Sequence, residues 1–552
     1  MDPGIRLKSP KGRWVLLATV LGSGIAFLDA TVVNVALPTI GNELHATVAE
    51  LQWIVNAYTL TLAGLILLGG SLGDRYGRRR VFVLGAIWFG VASALCATAV
   101  DVQMLIAARA LEGIGGALLT PGSLAIIQAS YVPEDRPKAV GAWSGLGGIA
   151  GAIGPFLGGW LVSAAGWRWV FLINLPLVAI VVAVAVRHVP ETRDETAQGR
   201  FDVRGAVLAA LALAGITYAL TEAPQPGVSR PAVILAAVLG VACGAGFVLT
   251  ERKRTRTGNP QAMMPVDVFA SKEFTAVNLV TFVVYGGMGV VFFLFVVTLQ
   301  VVAGYSPLAA GASMVPITLL MLLLSARAGA LAQRIGPRIP MTAGLVVVTI
   351  GMVLMTRIGL HTSYLTEVLP AVVVFAVGLS AVVAPLTATV LATADVRHAG
   401  VASGVNNAVA RAASLLFVAA IPPLAGLTGD AQSHPLVFLH GFRIAILASA
   451  ALVACGAVLS FFTIRDDALR AAPAAAKPEC TVNCAVGAPP LEPGPEHARA
   501  GRQTPARRGR PDARRRRFSA RPPSPSPSPS PSPSPSREIV LVAPTSASRA
   551  GK

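Results

Sequence analysis

Charge is scarce in this 552-residue chain: 13% of its residues are Asp, Glu, Lys or Arg, about half the share that clothes a soluble globular protein. That excludes a water-facing enzyme or a cytosolic nucleotide-binding fold of ordinary composition. Cysteine is scarce as well. Of the five present, Cys96, Cys243 and Cys455 fall inside apolar runs and read as small packing residues. Cys480 and Cys484 lie in a polar tail without nearby histidine, so neither a disulfide scaffold nor a metal site is expected. The seven histidines fall in loops, at helix ends or in the tail, which leaves none to carry a proton inside the apolar runs. No G-x4-G-K-[S/T] phosphate loop occurs, and no nucleophile–base or metal-ligand spacing stands out. Neither ATP-driven work nor an enzymatic site is expected from such a chain.

Apolar sequence is what the chain has in excess. Hydrophobic residues make up 54% of it and the mean hydropathy is +0.65. Runs of about 20 apolar residues, each long enough to cross a bilayer as a helix, recur from Trp14 to Ile464. They read as fourteen spans: 14–38, 50–71, 81–99, 103–127, 139–162, 170–187, 204–222, 231–250, 275–299, 308–329, 339–357, 366–392, 400–426 and 441–464. The first is too long for a signal-peptide core and lacks a small-x-small cleavage site. Positive residues accumulate in cytoplasmic loops, and they sort sharply under this count. With the N-terminus inside, 23 Lys and Arg fall on the cytoplasmic side, against Arg168, Arg230, Arg357 and Arg443 opposite. Both termini are therefore expected in the cytoplasm. The net charge of +18 is spread between the spans and the tail, so it forms no single basic patch, and no nucleic-acid partner is expected.

The second span ends in Gly70-Ser-Leu-Gly-Asp74-Arg75-Tyr-Gly77-Arg78-Arg79-Arg80 and the tenth in Leu331-Ala-Gln-Arg334-Ile-Gly336-Pro-Arg338, two basic hairpins at the same face. If spans one to six and nine to fourteen are equivalent bundles, these hairpins occupy matching positions, and spans seven and eight are an insertion. The expected fold is all-α and integral to the membrane, with two six-helix bundles over 1–203 and 259–464 and two added spans over 204–258. Two such halves with a path between them are a recurrent transporter architecture. Residues 465–552 hold an Arg-rich stretch, 507–517, and seven Pro-Ser pairs, 523–536, and are expected to be disordered.

Ionisable groups at membrane depth are costly and mark function. Here they are Asp29, Arg109, Glu112 and Arg411. Desolvation disfavours the charged form of a carboxyl group, so an acid at this depth can take up and release a proton; Asp29 and Glu112 are the two available. Thr31 and Asn34 are placed to hydrogen-bond Asp29 or a substrate. Arg109 and Glu112 are three apart and share a helix face, so the pair can switch between an ion pair and a protonated acid, or can simply be a fixed internal salt bridge. Asn34, Asn56, Tyr58, Gln300 and Asn407, together with Asp29, are candidates to line a substrate path. Arg411 reads as a gating or polar packing residue. Span five carries Gly147-x3-Gly151-x2-Gly154-Pro155-x2-Gly158-Gly159; small residues let helices approach closely and Pro155 permits a bend. Gly70, Asp74, Arg75, Gly77 and Arg78 of the first hairpin are candidate gating residues, with Asp74 expected to meet an adjacent helix N-terminus or an Arg.

In these motifs the chain resembles the fourteen-span drug:proton antiporter branch of the major facilitator superfamily, over about 12–465. Gly70-x-Leu72-Gly-Asp74-Arg75-x-Gly77-Arg78-Arg79 is similar to the superfamily's loop motif, Arg109-x3-Gly113 to its span-four motif, and Gly154-Pro155-x2-Gly158-Gly159 to the antiporter motif. Asp29 to Pro38 is similar to the branch's span-one motif, and Trp167-Arg-Trp-Val-Phe-x-Ile-Asn174-x-Pro176, Gly304-Tyr-Ser-Pro307-x3-Gly311 and Ala402-Ser-Gly404 extend the likeness. The chain departs from the pattern at Glu112, where Gln is more frequent, and at Asn407-x3-Arg411, where a tighter Asn-Arg spacing is common. The resemblance implies a major facilitator fold and a monomeric exporter of hydrophobic, often cationic compounds such as antibiotics or dyes. The expected mechanism is alternating access driven by a proton gradient without a cofactor, in a cell membrane; in that cycle Asp29 and Glu112 are expected to bind drug or proton in turn. The Ala-, Arg-, Gly- and Pro-heavy usage suggests a GC-rich bacterial genome. A proton-coupled uptake symporter and a non-transporting receptor or scaffold are the alternatives.

Overall fold

The computed structural model describes residues 4–193, 202–225, 227–257, 266–392, 399–466 and Leu469, and within the α-helices it leaves the side chains of 137, 144, 145, 147–152, 391, 399–401 and 403 undescribed. Away from water, every backbone N–H and C=O must be satisfied within the chain, which favours helices. The order is α1 (Pro10–Leu44), α2 (Val48–Tyr76), α3 (Arg78–Ala97), α4 (Val102–Ser130), α5 (Arg136–Ala165), α6 (Arg168–His188), α7 (Val203–Glu222) and α8 (Arg230–Arg256). It continues with α9 (Lys272–Val301), α10 (Pro307–Ile335), α11 (Arg338–Met355), α12 (Tyr364–Val390), α13 (Ala399–Leu424) and α14 (Pro435–Thr463). Thirteen of these are long and apolar enough among the described residues to cross a membrane; in α5 the described apolar stretch is Ile153–Ala165.

Polar residues close the helix ends. Ser9, Asp101, Asp202, Ser271 and Ser306 each accept a first-turn N–H, and Thr47 with Glu50 forms a reciprocal capping box on α2. Such caps satisfy donors that a helix leaves orphaned. Three spans expected to be continuous are broken instead: α6 at Ile173, α10 at Ser313–Met314, and α12 by an opening π-turn, Tyr364–Val368. Each break lies within a few residues before a proline, Pro176, Pro316 or Pro370. Proline removes an N–H and crowds the preceding turn.

In the first half α4 packs on α2 and α3, and α1 on α5 and α6; in the second, α9 packs on α13 and α14, and α12 on α10 and α11. The inserted pair, α7 and α8, pack on each other, and α7 also lies against α2 and α13. Only 6% of the apolar window of α8 is buried, which makes it the outermost helix, facing lipid. The described residues fall in one compact unit. The expectation of a disordered 465–552 falls almost wholly outside the described residues.

The two halves are tied at the end remote from the 70–80 hairpin. Gln52 Nε2 donates to the Val418 carbonyl and Gln300 Nε2 to that of Val35. Gln432 Nε2 donates to the Ala46 carbonyl, and the Val48 N–H to that of Gly429. A Cβ on Gly159 would strike the Pro307 carbonyl, and one on Gly311 that of Pro155. These contacts close the interface at that end.

Candidate functional site

Three charged side chains expected separately converge in the first half. Arg109 of α4 places Nη1 2.7 Å from Asp29 Oδ2 of α1 and 2.6 Å from Glu112 Oε2 on its own helix. All three are at most 1% exposed. The guanidinium is held from other sides too: Nε donates to the Ile54 carbonyl at 3.2 Å, and the cation sits 4.4 Å from the centroid of the Tyr58 ring and 5.8 Å from that of Phe171. Buried charge persists only when paired and hydrogen-bonded, and one cation here serves two carboxylates.

The two acids are not equivalent. Both Asp29 oxygens are engaged, Oδ2 by Arg109 and Oδ1 by Asn174 Nδ2 at 3.4 Å. Glu112 Oε2 accepts from Arg109 and, at 3.4 Å, from the Cys96 thiol, whereas Oε1 accepts no hydrogen bond among the described residues. Asn174 also donates to Ser93 Oγ at 3.0 Å, and Ser93 donates to the Phe171 carbonyl. The break in α6 at Ile173 lies between Phe171 and Asn174. Asn174, Ser93 and Cys96 were not candidates from sequence. Cys96, expected to be a packing residue, is a hydrogen-bond donor to a carboxylate.

The polar residues expected along a path are dispersed. Thr31 donates to the carbonyls of Phe27 and Leu28, and Asn34 to that of Ala30, so their described hydrogen bonds go to their own helix rather than to Asp29. Asn56 is buried with Nδ2 unpaired, Gln300 belongs to the closed end, and Asn407 is exposed one turn before Arg411. Arg411 of α13 lies within electrostatic reach of the hydroxyls of Tyr58 and Tyr285. Asn406 donates to Asn278 and Thr281 of α9.

In the hairpin, Gly77 adopts φ 113°, a left-handed value that glycine takes without strain, and it is the one residue between α2 and α3. Asp74 pairs with Arg78 at 2.7 Å. The tie to the rest of the bundle is Glu191, beyond α6, which accepts the Arg79 N–H at 3.1 Å and lies 3.5 and 3.7 Å from the Nε atoms of Arg79 and Arg80; Glu191 was not foreseen. Gly70 lies beside Pro121 of α4, and Arg75 in the last turn of α2. In α5, Gly154 faces Thr31 and Gly158 faces Val32 of α1, with Pro155 and Gly159 against the start of α10. The surroundings of Gly151 lie outside the described residues.

A separate cleft of about 510 Å³ opens between α2 and α7 at the closed end, lined by Trp53, Tyr218, Glu50 and Glu222 among others; none of Asp29, Arg109, Glu112 and Arg411 borders it. Among the described residues no group of His, Cys, Asp and Glu is arranged to hold a metal ion.

Comparison with known proteins places this geometry in a family. The sequence model of the Major Facilitator Superfamily matches residues 19–419. The puromycin resistance protein pur8 of Streptomyces alboniger is 32% identical over 468 residues, covering 82% of this chain and 92% of that one. The multidrug resistance protein Stp of Mycobacterium tuberculosis is 34% identical over 400 residues, 71% and 72% of the two chains. The tetracenomycin C resistance and export protein of Streptomyces glaucescens is 32% identical over 424 residues, 75% and 76%. Among solved structures, an inward-facing, unoccupied bacterial homolog of the human lysosomal transporter Spinster superposes with TM-score 0.57 at 18% identity, covering 84% of this chain and 98% of that one. An auto-inhibited POT family peptide transporter gives 0.57 at 16% identity, covering 81% and 96%. At such identities the structural likeness speaks to the fold alone.

Proposed function

The chain belongs to the Major Facilitator Superfamily, and we propose that it is a multi-pass exporter that expels hydrophobic small molecules of the antibiotic and drug kind in exchange for protons, by alternating access. The names of its relatives, resistance and export proteins for puromycin and tetracenomycin C among them, support the cargo class. The observation that carries the proton is the Asp29–Arg109–Glu112 cluster, two fully buried carboxylates on one guanidinium. Glu112 is the proton's seat, because Oε1 is free to take it. Asp29, with both oxygens engaged, is the fixed partner that keeps Arg109 in place when Glu112 is neutralised.

The hairpin end and both termini lie in the cytoplasm in this reading, since Lys and Arg crowd that face. The closed end then faces outward and the cargo enters from the cell. Sliding of α5 on α1 and α10 along the glycines, with the hairpin restrained by Glu191, supplies the rocking. One chain completes the path as a monomer in a bacterial plasma membrane. The proton gradient drives the cycle, with no cofactor.

Everted membrane vesicles test this. Addition of puromycin or ethidium to energised vesicles carrying the protein is expected to release protons from the lumen, and an expressing strain to survive higher drug concentrations than an empty-vector strain. An uptake symporter gives proton movement of the opposite sign and a scaffold gives none; either result overturns the reading.

A further inference from the structure

Arg411 is a membrane-deep cation without a counter-charge. It stands on α13, and among the described residues it forms neither an ion pair nor a hydrogen bond; its Nε is shielded from solvent and unpartnered. The titratable groups within electrostatic reach of it are the side chains of Tyr58 on α2 and Tyr285 on α9. The Tyr285 hydroxyl, like the guanidinium, has no described hydrogen-bond partner, and Asn407 stands one turn away on α13, exposed. The contrast with Arg109, held by two carboxylates, a carbonyl and a ring, is direct. A guanidinium at membrane depth with no counter-charge is costly, and its shielded Nε leaves a donor open to a partner of opposite charge.

The carboxylates are poorly placed to be that partner or to meet cargo. Asp29 and Glu112 are 0% exposed, enclosed by α1, α3, α4 and α6, and already committed to Arg109. A proton can reach such a site, whereas a bulky molecule cannot enter it without taking the half-bundle apart. Arg411 is partly accessible and lies where α13 of one half meets α2 of the other. The unspent charge at the junction of the halves is therefore positive.

We propose that Arg411 recognises an anionic group on the cargo, a carboxylate or an ionised phenol or enol carried on an apolar body. This rests on the exporter reading above and narrows its cargo. A planar guanidinium with several N–H donors suits such oxygens in paired fashion. Proton and cargo then occupy separate charges, the acid cluster and Arg411. A purely cationic molecule gains nothing at Arg411 and is repelled by it.

The test compares two hydrophobic fluorescent probes of opposite charge, the anion 8-anilinonaphthalene-1-sulfonate and the cation ethidium, in energised everted vesicles. Full-length wild type, Arg411→Gln and Arg411→Lys are assayed at matched membrane abundance and with matched elution as folded protein in detergent. Wild type is expected to accumulate the anionic probe, Arg411→Gln to lower the anion-to-ethidium transport ratio at least tenfold, and Arg411→Lys to hold it within about threefold. An unchanged ratio in Arg411→Gln, equal loss of both probes, or a wild type that carries ethidium and not the anion overturns the inference while leaving the exporter reading intact. A wild type that moves neither probe and confers no drug resistance brings down the exporter reading, and this inference with it.

Discussion

Replacing Glu112 with Gln tests whether this residue seats the proton, as proposed, or only belongs to the scaffold around Arg109. The amide has the same shape, and its oxygen can still accept from Arg109 and from the Cys96 thiol, now 2.6 and 3.4 Å from Oε2. Arg109 keeps Asp29 at 2.7 Å and the Ile54 carbonyl at 3.2 Å, so it is not left as an unpaired buried charge. The stability cost is then at most that of one charge-assisted hydrogen bond, about 1.5–3 kcal/mol. Arg109→Met, by contrast, leaves two carboxylates side by side with no cation, and breaking a buried pair in that manner costs about 3–5 kcal/mol. Glu112→Gln should therefore insert and fold, and Arg109→Met should be visibly less stable.

The functional effect is expected to be large despite that modest cost. One proton exchanged for a neutral molecule at 100 mV supplies about 2.3 kcal/mol, which sustains a cargo gradient of about fiftyfold. Without a titratable group at position 112 the gradient has nothing to push, and the steady-state ratio should fall to about one. Exchange of cargo for cargo at equal concentrations needs no net proton movement and should continue. Proteoliposomes with an imposed proton gradient measure the first quantity, and counterflow of labelled cargo measures the second. Uphill export by Glu112→Gln at the wild-type ratio would refute the assignment of the proton to Glu112; loss of counterflow along with pumping would show that the residue holds the fold or the cargo instead.

Two further outcomes follow from contacts outside that cluster. Asp202, at the start of α7, accepts the Gly205 N–H at 2.6 Å and pairs with Arg254 of α8, which also lies 3.4 Å from Glu251. Burial pushes the Asp202 carboxyl up, but the Arg254 guanidinium, the neighbouring Glu251 and the Gly205 N–H together hold it below the usual carboxylate range. A carboxyl depressed in the folded state stabilises it above the unfolded value, about 3.9, and loses that contribution as pH falls through the folded value. Asp202→Asn should accordingly lower stability by about 1–3 kcal/mol, seen as a lower melting temperature in detergent at pH 7 and at pH 5, with the difference from wild type shrinking below about pH 4; a difference that is flat across this range would exclude the ion pair as its source. Gly311→Ala forces a methyl against the Pro155 carbonyl, and overpacking of this sort costs about 1–3 kcal/mol. It should open the closed end, raising impermeant-maleimide labelling of a cysteine placed at Ile40, which is 0% exposed, over the same cysteine with Gly311 retained; equal labelling would mean that this contact does not hold the end shut.

Length and hydropathy made the helices legible, because lipid leaves a backbone few alternatives. The breaks in α6, α10 and α12 were legible in principle at Pro176, Pro316 and Pro370, yet a continuous apolar run masks them when hydropathy alone is followed. Asp29, Arg109 and Glu112 stood out one by one for the cost of their burial. That they meet depends on the rotation of α1 about its own axis relative to α4, which an apolar helix with weakly marked faces does not declare. Asn174, Ser93 and Cys96 are harder still, since a short polar side chain in an apolar run is ordinarily a small packing residue. What distinguishes them is a neighbour that needs a donor, and neighbours across helices are invisible along the chain. Glu191 escaped notice for a related reason: an acid beyond a helix end looks like solvent-facing loop until two arginines, Arg79 and Arg80, are folded over beside it.

The two arginines give the arrangement its logic. Arg109 lies over the Tyr58 ring at 4.4 Å, and the Tyr58 hydroxyl, which donates to the Ala26 carbonyl at 3.3 Å, is the group of the first half that lies within electrostatic reach of Arg411 in the second. Neutralising Glu112 removes one of the two carboxylates that pull on Arg109, so the guanidinium is held by Asp29 alone and its position over the ring is less constrained. A shift of Arg109 changes the charge over the face of Tyr58, whose hydroxyl is held on the Ala26 carbonyl. A proton bound in the sealed interior of one half can in this way change the surroundings of an unpaired cation at the junction with the other, with no bulky molecule entering the acid cluster. Coupling between distant events needs an element that both can bias, and Tyr58, which lies under Arg109 and within electrostatic reach of Arg411, is a side chain that can serve as one.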